Sequence, residues 1–190
     1  MKKRRRFHAC VVAVAAALAS AGVVSSCSAV PGDQRVGIDA PSGSESAFGP
    51  VADYLDHRCG SLDCHGQMSR NLRIYGCEGM RLDPKARPGC SMWLGGSNST
   101  ADEHLATYRS LVGLEPTVMS QVYDNKGEHA ELLTFVRKAR GLEAHKGGTL
   151  ITPGDLQDIC ITSWLAGTTN QTACFMAIGF PMFPQDAAVR

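Results

Sequence analysis

Two cysteines and a histidine lie within one seven-residue segment, at Cys59, Cys64 and His65. Thiolate sulfur and imidazole nitrogen both bind metal ions, and the thiolate is also a strong nucleophile. Two thiols this close can bond to each other, share a metal ion with the imidazole, or add to carbon–carbon double bonds of a cofactor. A cysteine followed directly by histidine favours the third chemistry, since C-x-x-C-H is the pattern of covalent haem attachment.

The first cysteine stands five positions before the second, which gives C-x-x-x-x-C-H. We expect the two additional residues to bulge out as a loop, because the cofactor fixes only the distance between the two sulfur atoms. Cys59 and Cys64 would form thioethers with one haem, and His65 would be the proximal ligand of its iron. Two alternatives remain. One is a Cys59–Cys64 disulfide in a haem-free surface or binding lipoprotein. The other is a zinc site, with the candidate ligands His57, Cys59, Cys64 and His65.

This segment resembles the haem-binding site of c-type cytochromes. The wider chain is similar to the cytochrome-like domains of large exported proteins and lipoproteins from myxobacteria and planctomycetes. The resemblance covers about 51–167, and the matching pieces are Arg58-Cys59, Cys64-His65-Gly66, Asn71-Leu72-Arg73-Ile74-Tyr75-Gly76, His145-Lys146-Gly147-Gly148 and Trp164-Leu165-Ala166-Gly167. It implies a small domain that carries one haem c and transfers single electrons.

A haem that only transfers electrons usually has a second axial ligand on its iron. By resemblance, the distal methionine of a small cytochrome corresponds to Met119, just after Pro116. His145 is the other main candidate, because the glycines that follow it would let its loop approach a cofactor closely. Met182, near the C-terminus, is a third.

The N-terminus predicts export and a lipid anchor. Five basic residues at 2–6 precede an uncharged, Ala-rich stretch from Ala9 to Val24, which is too short for a membrane span and typical of a signal peptide. Val24-Ser25-Ser26-Cys27 resembles the lipobox of bacterial lipoproteins. We therefore predict a signal peptide over 1–26, a lipidated Cys27, and a place in the cell envelope. Ser28 after the anchor resembles lipoproteins of the outer membrane.

Composition excludes a nucleic-acid partner. Loss of residues 1–26 removes five of the 19 basic residues and none of the 18 acidic ones, which leaves a net charge of −4. Residues 27–50, rich in Gly, Ser and Pro, predict a flexible tether, and 51–190 is the predicted folded domain. The expected partners are the membrane, through the anchor, and redox proteins of the envelope.

Hydrophobic periodicity predicts an all-α domain of about four short helices with long irregular loops. The predicted helices cover about 48–59, 101–115, 128–140 and 153–166. Thr100 and Glu103 form a capping-box pattern before the second helix, and Pro153 is expected at the first position of the fourth. Loops this long around so few helices need a cofactor or disulfides to organise them.

The four remaining cysteines of the domain favour two disulfides. Cys77 and Cys90 are 13 residues apart, and Cys160 and Cys174 are 14 apart. Four cysteines allow three connectivities, and we predict the one that pairs these neighbours. Elsewhere, His104 and His129 are expected on solvated helix surfaces and Trp164 in the core. The sequence contains no nucleophile–base motif, which favours an electron carrier over an enzyme.

Overall fold

The structure, a computed structural model, describes residues 37–86, 90 and 98–179. The predicted signal peptide, the lipidated Cys27, much of the predicted tether and Met182 lie outside the described residues. The folded unit begins at Ile38. No helix within the described ranges is both long enough and apolar enough to cross a bilayer.

The domain is helical, as predicted. Within the described residues there is no β-strand, and the nearest feature is an isolated bridge between Tyr75 and Met80. A short 3-10 helix covers Ala130–Leu132. In the part of the chain that the structure describes, the α-helices in order are α1 (Glu45–Cys59), α2 (Ala101–Val112), α3 (Pro116–Asp124), α4 (Thr134–Ala139), α5 (Leu156–Leu165) and α6 (Gln171–Ala177).

The first helix is the centre of the core and starts before the predicted domain boundary. It buries Phe48, whose ring centre lies 5.0 Å from that of Trp164 and 5.4 Å from that of Tyr108. The Trp164 indole N–H donates to the carbonyl of Ser42 at 3.0 Å. The helix begins at Glu45, so the folded region extends N-terminal to residue 51. The core position predicted for Trp164 is confirmed.

The second helix has the predicted capping box. The Thr100 hydroxyl accepts from the Glu103 backbone N–H, and the Glu103 carboxylate accepts from the Thr100 N–H. Glu103 also forms a buried, two-pronged ion pair with Arg81 at 2.8 and 3.0 Å. Pro116, expected only to follow this helix, instead begins α3, because a residue without an N–H fits the first position of a helix.

The predicted helix over 128–140 is wrong in its first half. His129 has a left-handed backbone with φ of 58°, and Leu133 is extended, so only 134–139 is α-helical. The side chain of Glu115 accepts from the Thr134 backbone N–H at 2.7 Å and from its hydroxyl at 2.8 Å. This carboxylate from a distant loop stabilises a new helix start at Thr134, which local periodicity does not reveal.

The last two helices also differ from expectation. Asp155 caps α5 by accepting from the Asp158 N–H at 2.7 Å, so Pro153 precedes the helix and is not its first residue. The short helix α6 is not among the predicted four. The predicted Cys160–Cys174 disulfide is present and joins α5 to α6. The predicted Cys77–Cys90 disulfide is present as well.

One predicted surface histidine is buried. His104 on α2 is 6% exposed, with Nδ1 2.8 Å from Glu45 Oε1 and Nε2 3.1 Å from Asp53 Oδ1, both on α1. The expectation of a solvated His104 is therefore wrong, because two carboxylates on the neighbouring helix satisfy both of its ring nitrogens. His129 is exposed, as expected, although it precedes the 3-10 helix and does not lie on a helix surface.

Candidate cofactor-binding site

A cavity of about 490 Å³ lies between α1, the segment after it, α4, and the loop that joins α4 to α5. Three of the predicted site residues line it: Cys59, His65 and His145. Most of its other walls are apolar, formed by residues such as Tyr54, Leu55, Leu72, Ile74, Phe135, Leu150, Ile151 and Ile161. An enclosure of this type suits a mainly apolar ligand with a few polar groups.

His65 is fixed by three hydrogen bonds. Its Nδ1 lies 3.0 Å from the Leu72 carbonyl oxygen, its backbone N–H donates to Cys59 O at 2.9 Å, and its carbonyl accepts from Ile74 N–H at 2.9 Å. A carbonyl can only accept, so Nδ1 carries the proton and the lone pair is on Nε2. Burial lowers the pKa of His65, which keeps the imidazole neutral. This is the form in which histidine binds a metal.

The residues between the two cysteines form a tight turn, as the longer spacing requires. Cys64 N–H and Gly66 N–H both donate to the Ser61 carbonyl, at 2.9 and 3.0 Å. A Cβ atom at Gly66 would collide with the carbonyl oxygen of Gly60. The turn therefore needs glycine directly after His65 for reasons of space.

The two thiols of this turn are not bonded to each other. Cys59 lines the cavity, and burial raises the pKa of its thiol to about 12, so this sulfur is protonated at neutral pH. Cys64 is exposed and does not line the cavity. The structure thus places one of the two predicted attachment sulfurs at the cavity and leaves the other on the surface beside it.

His145 faces His65 across the cavity. The two ring centres are 5.9 Å apart and the ring planes are inclined by 23°. The Nδ1 atom of His145 is buried and has no hydrogen-bond partner, which is rare for a buried polar atom. Met119, the other candidate distal ligand, is 1% exposed in the core on α3 and does not line the cavity.

The two histidine rings are stacked, so both imidazoles lie at the same place in the cavity wall. Coordination of one metal ion by both would require the rings to turn until a nitrogen of each points at the ion. The orphaned buried Nδ1 of His145 and the neutral imidazole of His65 are the donor atoms that the cavity offers to a cofactor.

Two cationic side chains line the cavity and fix the loops that carry the histidines. Arg70 donates from Nε to the Cys64 carbonyl at 2.9 Å and from Nη2 to the Asp63 carbonyl at 3.3 Å. Lys138 donates to the carbonyl of Ala144 at 3.2 Å. Each cation therefore holds the residue that directly precedes one of the two histidines. Sequence inspection missed both, because neither belongs to a recognisable motif.

The zinc alternative for the first motif is not supported by the geometry. Within the described part of the chain, the four candidate zinc ligands do not come together at one point. A different group does: the ligand atoms of His57, Cys77 and Cys90 lie within 4.8 Å of one another. The two sulfurs of that group are joined in a disulfide, so they present no thiolate to a metal ion.

Comparisons with known proteins identify no relative: no family model, curated protein or solved structure matches the chain. The function must therefore be inferred from the residues of the cavity themselves.

Proposed function

We propose that this protein is an envelope-anchored c-type haem protein that transfers single electrons. The observation that carries the proposal is the pair of imidazoles, His65 and His145, whose ring centres lie 5.9 Å apart in a mainly apolar cavity that Cys59 also lines. When bound, the haem would supply one-electron iron chemistry, and the protein would supply ligands, orientation and surroundings.

His65 is the proximal ligand in this proposal. Its Nδ1–H bond to the Leu72 carbonyl at 3.0 Å orients the ring and makes Nε2 a better donor. His145, which lines the cavity whereas Met119 does not, would be the second ligand of the iron. Two imidazole ligands give a lower reduction potential than an imidazole and a thioether. Two protein ligands would also favour electron transfer over chemistry on bound substrates.

Cys59 and Cys64 are the attachment residues. Each thiol would add across one vinyl group, with sulfur bonding to one carbon and the thiol hydrogen moving to the other. Cys59 already lines the cavity, whereas the Cys64 side chain must turn inward from the surface. The two free thiols support this assignment over the haem-free alternative, in which they would be joined to each other.

Arg70 and Lys138 would pair with the carboxylates of the haem, and Lys138 would do so while it also forms an ion pair with Glu143. Both line a cavity whose remaining walls are mostly apolar, and buried carboxylates need such partners. Lipidation of Cys27 would hold the domain at the outer membrane, with redox proteins of the envelope as electron donors and acceptors. The net charge of −4 expected after export gives no basis for nucleic-acid binding.

The test is to mature the full chain in a periplasm that attaches haem to exported proteins. We expect a Soret band, a covalent haem stain on a denaturing gel and one added haem by mass spectrometry. C59S together with C64S should lose the covalent stain. A colourless protein whose mass shows only lipid and disulfides would rule the proposal out.

The second ligand is tested separately. His145→Ala should convert a low-spin, six-coordinate ferric spectrum to a high-spin one, while Met119→Leu, a matched core substitution, should leave the spectrum unchanged. The reverse result would make Met119 the ligand.

A further inference from the structure

The Cys77–Cys90 disulfide lies against a buried carboxyl group. Asp56 on α1 is 1% exposed, and its Oδ2 atom is 3.2 Å from the sulfur of Cys77. The Ser99 hydroxyl donates to the same oxygen at 2.8 Å, and the Glu78 backbone N–H donates to Oδ1 at 3.3 Å. These hydrogen bonds hold an ionisable group directly beside one sulfur of the disulfide. A purely structural cross-link would not require such a group.

The two sulfurs differ in access. Cys77 is 4% exposed, whereas Cys90 is partly exposed. An external thiolate therefore reaches Cys90 more easily, which makes the buried Cys77 sulfur the leaving group. The second disulfide provides a contrast, since Cys160 and Cys174 are both 0% exposed.

We propose that Cys77–Cys90 is a redox-active disulfide that accepts two electrons from a dithiol, with Asp56 as the proton donor to Cys77. This proposal does not depend on haem binding. The outside thiolate attacks the Cys90 sulfur, the disulfide bond breaks, and its electron pair goes to Cys77, which takes the proton of the Asp56 carboxyl group. The second thiol of the reductant then displaces Cys90, and the reductant leaves as a disulfide.

The surroundings of Asp56 suit this role. Burial raises the pKa of its carboxyl group. The hydrogen bonds from Ser99 and Glu78 and the charge of His57 lower this pKa, but burial has the larger effect. His57 has a ligand atom within 4.8 Å of both sulfurs, and its Nδ1 lies 3.2 Å from the Glu78 carboxylate. The His57 side chain would stabilise the Cys90 thiolate that the second step releases. The net proton balance is complete. The dithiol loses two hydrogens, and Cys77 and Cys90 each gain one. Asp56 gives its proton to Cys77 and regains one from solvent.

The experiment is native reduction of the purified full chain by dithiothreitol, followed by alkylation at timed intervals and mass mapping. We expect Cys77–Cys90 to open at least about 10-fold faster than Cys160–Cys174, which serves as an internal reference. Asp56→Asn should slow the opening of Cys77–Cys90 by about 10-fold or more, as expected for loss of a general acid. The matched control Asp124→Asn, at an exposed position, should leave the rate unchanged.

Loss of folding is detected in the same samples, because both disulfides of an unfolded variant would be reduced quickly.

Ser99→Ala removes a hydrogen bond to the Asp56 carboxyl group but keeps the acid, so the opening rate of Cys77–Cys90 should stay the same or rise. Equal rates for the two disulfides in the unmodified protein would overturn the proposal. So would an unchanged rate in a folded Asp56→Asn variant or a slowed rate in Ser99→Ala.

Discussion

At the scale of single residues, the sequence predicts which side chains line the cavity better than it predicts the hydrogen bonds and packing that orient them. Cys59, His65 and His145 are chosen by type and spacing, and all three line one cavity. The Leu72 carbonyl that fixes the His65 tautomer cannot be anticipated, because a backbone acceptor carries no side-chain signature. The burial of Met119 has the same origin, since only the packing of α3 shows that its thioether is enclosed by the core.

The glycine next to His65 gives a sharp test at this scale. Gly66→Ala would place a methyl group against the Gly60 carbonyl oxygen and the Gly79 Cα atom. Overpacking of this kind costs about 1–3 kcal/mol, so the free energy of unfolding in urea should fall by that amount. Gly37→Ala meets no atom within 4 Å and is the matched control, expected to be neutral. Equal stabilities of the two variants would contradict the close packing described for this turn.

At the scale of helices, local signals predict starts and stops where the cap comes from the same segment. The Thr100–Glu103 capping box is such a case, and α2 begins where it indicates. Prediction fails where the cap comes from elsewhere in the chain. Glu115 caps α4 from the segment before α3, and the expected helix over 128–140 is divided as a result.

The contact between α1 and α2 makes stability depend on pH. Burial pushes the pKa of His104 down, but the nearby carboxylates of Asp53 and Glu45 outweigh this and raise it above its ordinary value. The stabilisation is therefore complete below the unfolded pKa of about 6.5 and is lost as the pH rises through the folded pKa. Urea unfolding of the parent and of His104→Gln should show a stability difference that shrinks as the pH rises above about 6.5.

A difference between the parent and His104→Gln that stays constant as the pH rises would mean that folding does not change the pKa of His104. His129→Gln, at an exposed position, is the control and should follow the parent at every pH.

At the scale of the whole molecule, composition and periodicity correctly predict a small all-α domain with two disulfides. The start of the domain is harder to read from sequence. Residues 38–44 contain few large apolar side chains, yet the carbonyls of Pro41 and Ser42 accept hydrogen bonds from Tyr108 and Trp164. A backbone that serves as an acceptor for buried aromatic side chains gives no hydrophobic pattern.

The disulfide between α5 and α6 should contribute strongly to global stability. Cys160→Ala combined with Cys174→Ala removes a cross-link that closes a loop of 14 residues and should lower the free energy of unfolding by about 2–4 kcal/mol. Denaturant unfolding followed by circular dichroism measures this loss. An unchanged midpoint would mean that packing alone, through residues such as Ala173 and Ala177, holds α6 in place.

The two facing imidazoles belong to distant parts of the chain, His65 between α1 and α2 and His145 between α4 and α5. If both imidazoles bound one metal ion, the ion would cross-link residues 65 and 145 and close a loop of chain that contains three α-helices. Binding would then stabilise the folded state, because unfolding would require release of at least one nitrogen.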